Sequence, residues 1–238
     1  MTLKRIKDML LDVVFPPICP VCNRIVGAGR HICPECMKKL YYVEEPYCMK
    51  CGKPVDEEDE FCRDCRSTHH VYDEGRAALL YDEYMSRSIY RFKYNGKQEF
   101  AGVYADIMYE RLSSKIRAWN ADVIIPVPVH KSRLKKRGYN QAALIAQKLS
   151  KLLKIPVRED IVTRHTATKV QKNLGARTRQ NNLKKAFNIT PNSVEYNSVL
   201  IVDDIYTTGA TVDALAGCLK RAGIKKVYFA TLCIGRGN

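Results

Sequence analysis

From about residue 76 the chain alternates between two kinds of apolar segment. "RAALLYD", "ADVIIPVPV", "VLIVDD" and "KKVYFATLCI" are short and nearly continuous, the pattern of strands buried on both faces. Between them, "EYMSRSIYRFKY", "FAGVYADIMYERL", "YNQAALIAQKLSKLLK" and "ATVDALAGCLKRAG" set their apolar residues at helical spacing. In the third of these, Ala143, Ile145, Ala146, Leu149, Leu152 and Leu153 share one broad face. Asn95-Gly96 separates the first two helices, and Gly223 closes the last. Strands alternating with helices predict an α/β fold, a mostly parallel sheet with helices on both faces. Ligands of such sheets sit beyond the carboxyl ends of the strands, which directs attention to the loops after "IIPVPV" and "VLIVDD".

The first 75 residues have another texture. Leu3, Ile6, Leu10, Val13 and Val14 fall near helical spacing, as a helix docked on the body or as a basic amphipathic anchor. Asp8 and Asp12 interrupt the apolar stretch and no small-residue cleavage site follows, so it does not read as a signal peptide. No run approaches the roughly 18 apolar residues of a transmembrane segment. Four Cys-x-x-Cys pairs come next: Cys19/Cys22, Cys33/Cys36, Cys48/Cys51 and Cys62/Cys65. The second quartet is the first shifted by 29 residues. Two thiolates from one tight turn, joined by two from another, complete a tetrahedron around Zn²⁺. Disulfides are the alternative, but nothing marks the chain for an oxidising compartment. Two zinc ions are therefore expected, one per quartet; the repeat favours sequential pairing over an interleaved one. With four protein thiolates each, the sites are structural rather than catalytic. Both quartets being full, His69 and His70 read as linker residues, and Cys218 and Cys233 as buried inert thiols. The chain divides at this point into residues 1–75, an N-terminal helix and double zinc ribbon, and residues 76–238.

Charge sharpens that division. Residues 1–75 hold 11 Lys+Arg against 13 Asp+Glu and residues 76–238 hold 29 against 12, so the net +15 arises wholly in the second part. Residues 130–185 alone have 16 basic side chains against Glu159 and Asp160. Such a field draws phosphates, pyrophosphates or nucleic acid.

"VLIVDDIYTTGAT", residues 199–211, joins a buried strand to two acids and a small hydroxyl-rich loop. A P-loop does not fit, because G-x-x-x-x-G-K-[ST] is missing. A receiver domain also pairs acids at a strand end but needs more chain than the 34 residues after Asp204. A ribose-phosphate site suits the order of groups. Asp203 and Asp204 can accept hydrogen bonds from vicinal hydroxyls. Thr207, Thr208, Gly209, Ala210 and Thr211 can wrap a monophosphate at the start of the next helix.

This stretch resembles the phosphoribosyl pyrophosphate (PRPP) motif of type I phosphoribosyltransferases. With "FKYNGK", "PVPVHKSRLKKRGYNQ" and "QKNLGARTRQNNLKKAF", the chain looks like the ComF family of competence proteins over essentially its whole length. The resemblance implies a parallel-sheet phosphoribosyltransferase-like domain at 76–238 behind the small zinc-ribbon domain. It implies Asp203 and Asp204 on the ribose, with Mg²⁺ bridging to the pyrophosphate, and residues 207–211 on the 5′-phosphate. Arg133, Arg137 and Gly138 would hold pyrophosphate, and Gln171 and Arg179 would belong to a mobile loop over Arg164–Arg179. Asn140-Gln141 would cap the following helix. It further implies a cytoplasmic protein, or one peripheral at the inner face of the membrane. Its work would be the uptake of transforming single-stranded DNA beside a competence helicase or recombination mediator. Tyr90, Arg91, Phe92, Lys93 and Tyr94 offer stacking platforms for that strand, although their spacing also suits a helix with Phe92 in the core. The competing expectation is an active phosphoribosyltransferase of nucleotide salvage or synthesis. Its displacement at the anomeric carbon would need no protein nucleophile, and no acceptor is legible.

Overall fold

The computed structural model describes residues 16–27, 29–165, 186–190 and 195–236. The expected N-terminal helix, and Gln171, Arg179 and most of the expected mobile loop, lie outside them. Strands β1 (Glu74–Leu80), β2 (Val123–Pro126), β5 (Ser198–Tyr206) and β6 (Lys226–Ile234) form one sheet in the order β1-β6-β5-β2, parallel throughout. Their continuous Val, Ile and Leu runs fit this position, since helices bury both faces. A small antiparallel hairpin, β3 (Val162–Arg164) with β4 (Phe187–Ile189), stands apart.

Among the described residues the helices are α1 (Pro34–Met37), α2 (Arg63–Ser67), α3 (Glu83–Tyr94), α4 (Phe100–Trp119), α5 (Lys131–Arg137), α6 (Gln141–Leu153) and α7 (Ala210–Arg221). Asp82 starts α3 by accepting the Met85 amide at 2.8 Å, and Asn140 starts α6 by accepting that of Ala142 at 3.1 Å. α5 was not foreseen. The segment after β2 is a seven-residue helix ended by Gly138 at φ +81°, not an open loop. β5 also runs past Asp203-Asp204 to Tyr206, so the acids stand within the last four residues of the strand. None of the described helices is long and apolar enough to cross a membrane.

The sheet separates two cores, and each cysteine quartet joins one of them. Cys19, Val21, Ile32, Cys36 and Leu40 are continuous with the layer of α3, α4 and α6. Cys48, Cys51, Cys62 and Tyr72 are continuous with the opposite layer under α7. Between the quartets the chain adds to the sheet edge: Val43 N donates to Ala78 O, and Leu80 N to Tyr41 O at 2.7 Å. That contact covers an edge otherwise open to strand addition. Gly75 is required where β1 crosses Phe229, since a Cβ there would lie 1.9 Å from the ring.

Candidate functional site

Each quartet brings its four Sγ atoms within 4.8 Å of one another, Cys19/Cys22/Cys33/Cys36 in one and Cys48/Cys51/Cys62/Cys65 in the other. Cys22 and Cys33 are 3.7 Å apart, Cys51 and Cys62 3.6 Å. Bonds of about 2.3 Å at tetrahedral angles put sulfurs at about such separations. The residues therefore fit two structural zinc ions paired sequentially. Cys218 and Cys233 are buried apart from them.

At the carboxyl end of the sheet lies a cleft of about 320 Å³. Asp203, Asp204, Thr207, Thr211, Arg133 and Arg137 all line it. Thr208 and Gly209 lead from Thr207 into α7, whose first residue is Ala210, and Gly138 ends α5; these four do not line the cleft. Gly209 takes φ +78° as the residue before α7, and no side chain caps that helix. The first-turn amides are thus left to an anion, and the helix dipole adds to their attraction.

The two acids sit in different surroundings. Burial pushes the Asp203 carboxyl up to about 8, and the neighbouring Asp204 charge pushes the same way. Its Oδ1 meanwhile accepts the Asp204 amide at 2.9 Å. Asp204 pairs with Lys93, whose Nζ is 2.5 Å from Oδ2. Burial alone would lower the Lys93 ammonium, but Asp204 outweighs it and the net shift is upward.

Lys93 was not singled out for this site from sequence. Within the run Tyr90–Tyr94, it was grouped with possible DNA contacts, and the structure divides that group. Phe92 is wholly buried. Arg91 donates to the carbonyls of Pro20 and Val21, at 3.0 and 2.6 Å, and so clasps the first ribbon. Lys93 faces the acids, and only Tyr90 and Tyr94 are exposed, their rings 4.9 Å apart. Tyr139, from "RGYNQ", donates to the Phe92 carbonyl and ties α3 to the start of α6.

Arg137 is pre-oriented by Gln141 Oε1 at 2.8 Å and the Tyr94 hydroxyl at 2.9 Å. Gln141 also exceeds its expected capping role: it is 2% exposed, lines the cleft, and its Nε2 has no hydrogen-bond partner among the described residues. Arg164 adds a further guanidinium, which burial and Arg133 pull down from its usual value. His70 is no open linker. It is buried, and its Nδ1 lies 2.6 Å from Asp213 Oδ2 in the first turn of α7.

Comparison with known proteins finds two family models in this order along the chain. Residues 10–66 match the double zinc ribbon domain model, and residues 95–238 the phosphoribosyl transferase domain model. Competence protein F of Haemophilus influenzae is 32% identical over 84% of this chain and 89% of its own length. DNA utilization protein YhgH of Escherichia coli strain K12 is 30% identical over 92% and 97%. Competence protein ComFC of Bacillus subtilis is 28% identical over 81% and 79%. Among solved structures, orotate phosphoribosyltransferase from Aeropyrum pernix aligns at 18% identity over 68% of this chain and 70% of that one, with a TM-score of 0.38. The chain belongs to the ComF family, and carries a double zinc ribbon followed by a phosphoribosyl transferase domain.

Proposed function

We propose that this protein binds PRPP with Mg²⁺ and acts in natural competence, handling incoming single-stranded DNA at the cytoplasmic face of the membrane. The observation that carries the ligand reading is one cleft holding an acid pair, three arginines and an uncapped helix start. Vicinal ribose hydroxyls would donate to Asp203 and Asp204. The 5′-phosphate would rest on residues 207–211, and the pyrophosphate on Arg133 and Arg137, whose planar forks suit it. Asp203 and Asp204 would also help to hold Mg²⁺, which would offset the negative charge of the pyrophosphate. Acids on the sugar and donors on the phosphates match each group with its complement.

The competence role is carried by the names of relatives of similar length, including the Haemophilus influenzae and Bacillus subtilis proteins. Charge supports it. Exposed Tyr90 and Tyr94 adjoin α5, where Lys131, Lys135 and Lys136 are exposed, so bases could stack beside a basic backbone track. A competence helicase or recombination mediator would then meet the same strand.

Calorimetry with PRPP and magnesium tests the site: Asp203→Ala with Asp204→Ala should abolish binding, and unchanged affinity would overturn it. A labelled single strand titrated at two salt concentrations tests the DNA reading. The expected slope is about −0.7 per phosphate contacted, and no binding refutes it. The transferase reading is separated by incubating PRPP with a panel of bases and amines. Acceptor-dependent pyrophosphate release would make the protein an enzyme.

A further inference from the structure

The phosphate loop does not rest on its own domain alone. A Cβ at Gly209 would stand 2.5 Å from the Tyr206 hydroxyl and 3.1 Å from His70 Cε1, so these two side chains form the floor on which the loop lies. Both are tied to the second cysteine quartet. His70 follows the ligand Cys65 by five residues, through α2 and a short extended link. Its ring stacks on Tyr72 at 5.0 Å, and the Tyr72 hydroxyl meets that of Tyr206 at 2.7 Å. Lys53, two residues past the ligand Cys51, lies over the Tyr206 ring and pairs with Asp64 at 2.5 Å.

Asp213 completes the connection. Its Oδ2 takes His70 Nδ1 at 2.6 Å, its Oδ1 takes the Val71 amide at 2.9 Å, and its own amide donates to Gly209 O at 2.8 Å. One residue in the first turn of α7 thus grips the ribbon with its side chain and the phosphate loop with its backbone. His70 Nε2 is buried with no hydrogen-bond partner among the described residues. The ring is therefore oriented from its Nδ1 side, by Asp213.

We propose that His70 is a positioning residue for the phosphate loop, through which metal in the second quartet and a phosphate ester on the loop strengthen each other's binding. This rests on the PRPP reading of the cleft. Without metal, Cys62 and Cys65 lose the bonds that join α2 to the Cys48–Cys51 knuckle, and that binding energy is folding energy. The link to His70 and Val71 then loosens, Asp213 loses both ribbon partners, and the floor beneath Gly209 is released. Linkage makes the effect reciprocal: a ligand that fixes the loop must tighten metal binding by the same coupling free energy, and the tighter metal is expected to leave more slowly. A site on the body and a ribbon on the surface are thereby joined without the ribbon touching the ligand.

The test follows zinc release from the full-length protein into a zinc-selective chromophoric chelator, with magnesium present throughout. PRPP is expected to slow one release phase by about fivefold or more. Magnesium pyrophosphate, which lacks the 5′-phosphate, should leave it unchanged. His70→Ala should remove the slowing. His70→Asn, whose amide can still donate to Asp213, should restore part of it, although a merely space-filling role predicts no rescue. If His70→Ala fails to fold, Asp213→Asn tests the same contact and should also remove the slowing. PRPP that binds the wild-type protein by calorimetry yet changes no release phase overturns the coupling and leaves the PRPP reading standing. Slowing that survives both variants overturns the role of His70. PRPP that does not bind at all overturns the reading and the inference together.

Discussion

Lys93 Nζ stands 2.5 Å from Asp204 Oδ2, so the acid pair carries its own cation before any ligand arrives. That lysine is delivered by the last turn of α3, whose Ser88 and Arg91 are fastened to the carbonyls of Pro20 and Val21 in the first ribbon. Lys93→Met leaves a buried carboxylate without its partner and should cost about 3 kcal/mol of stability. Urea denaturation measures it, and Lys93→Met combined with Asp204→Asn should recover most of the loss. A single variant with an unchanged midpoint would contradict a buried pair.

The raised Asp203 carboxyl sets the direction of a pH effect. Below about 8 it is protonated in the free protein, so a ligand that needs both carboxylates must first remove that proton. PRPP affinity should rise roughly eightfold from pH 7.0 to 8.5 and level off above. The folded protein alone has the opposite dependence. A carboxyl raised on folding loses its relative stabilisation as pH climbs from its unfolded value through about 8. Asp203→Asn should therefore flatten the affinity profile and raise Tm most at the alkaline end. Calorimetry and thermal melts at matched pH check both.

Gly209→Ala meets two obstacles, a backbone at φ +78° and a hydroxyl 2.5 Å from the new methyl. Phosphate-ester binding should fall by more than tenfold, while Gly223→Ala, at φ +102° in open space, strains only a turn remote from the cleft. Titration of both variants with PRPP separates local strain from loss of the site.

Arg137→Ala should weaken PRPP and magnesium pyrophosphate by about 10- to 100-fold each, the range for a lost hydrogen bond to a charged group. Ribose 5-phosphate should be little affected, because it has nothing to offer that arginine. Arg137→Lys should not rescue, since one ammonium cannot serve Gln141, Tyr94 and a pyrophosphate together.

Two zinc ions per chain are expected by metal analysis. Their removal should be felt in the body of the protein as well as in the ribbons. The only tryptophan, Trp119, packs flat on Tyr228 and donates to Glu74, the first residue of β1. Its emission should shift on chelation if the ribbons brace the sheet, and stay fixed if they are independent modules.

Much of this architecture was legible because its signals are local. A strand buried on both faces is a continuous apolar run, and "VLIVDD" is β5 with its acids attached. Cysteine spacing carried the quartets, since a metal knuckle repeats as a unit. What escaped has non-local causes. α5 has one apolar residue, Leu134, and a histidine as its cap, so neither periodicity nor a usual N-cap marks it; Gly138 was the one available sign. β3 and β4 are three residues each, too short to stand out. The site role of Lys93 depends on which way α3 is turned, because a cation among tyrosines reads equally as a nucleic-acid contact. His70 and Asp213 are 143 residues apart, and no short window contains both.

The distribution of the ribbons over the two faces of the sheet has a practical result for anyone dissecting the molecule. A fragment beginning at β1 would look like a self-sufficient ligand-binding half. It would instead lose Val21, Ile32 and Leu40 from one side, Tyr72 and the second quartet from the other, and the Tyr41–Val43 edge besides. Such a fragment should come out of solution sticky and poorly folded, however intact its cleft residues are. A ribbon-less null allele would accordingly report the collapse of the entire product rather than the duty of the fingers alone.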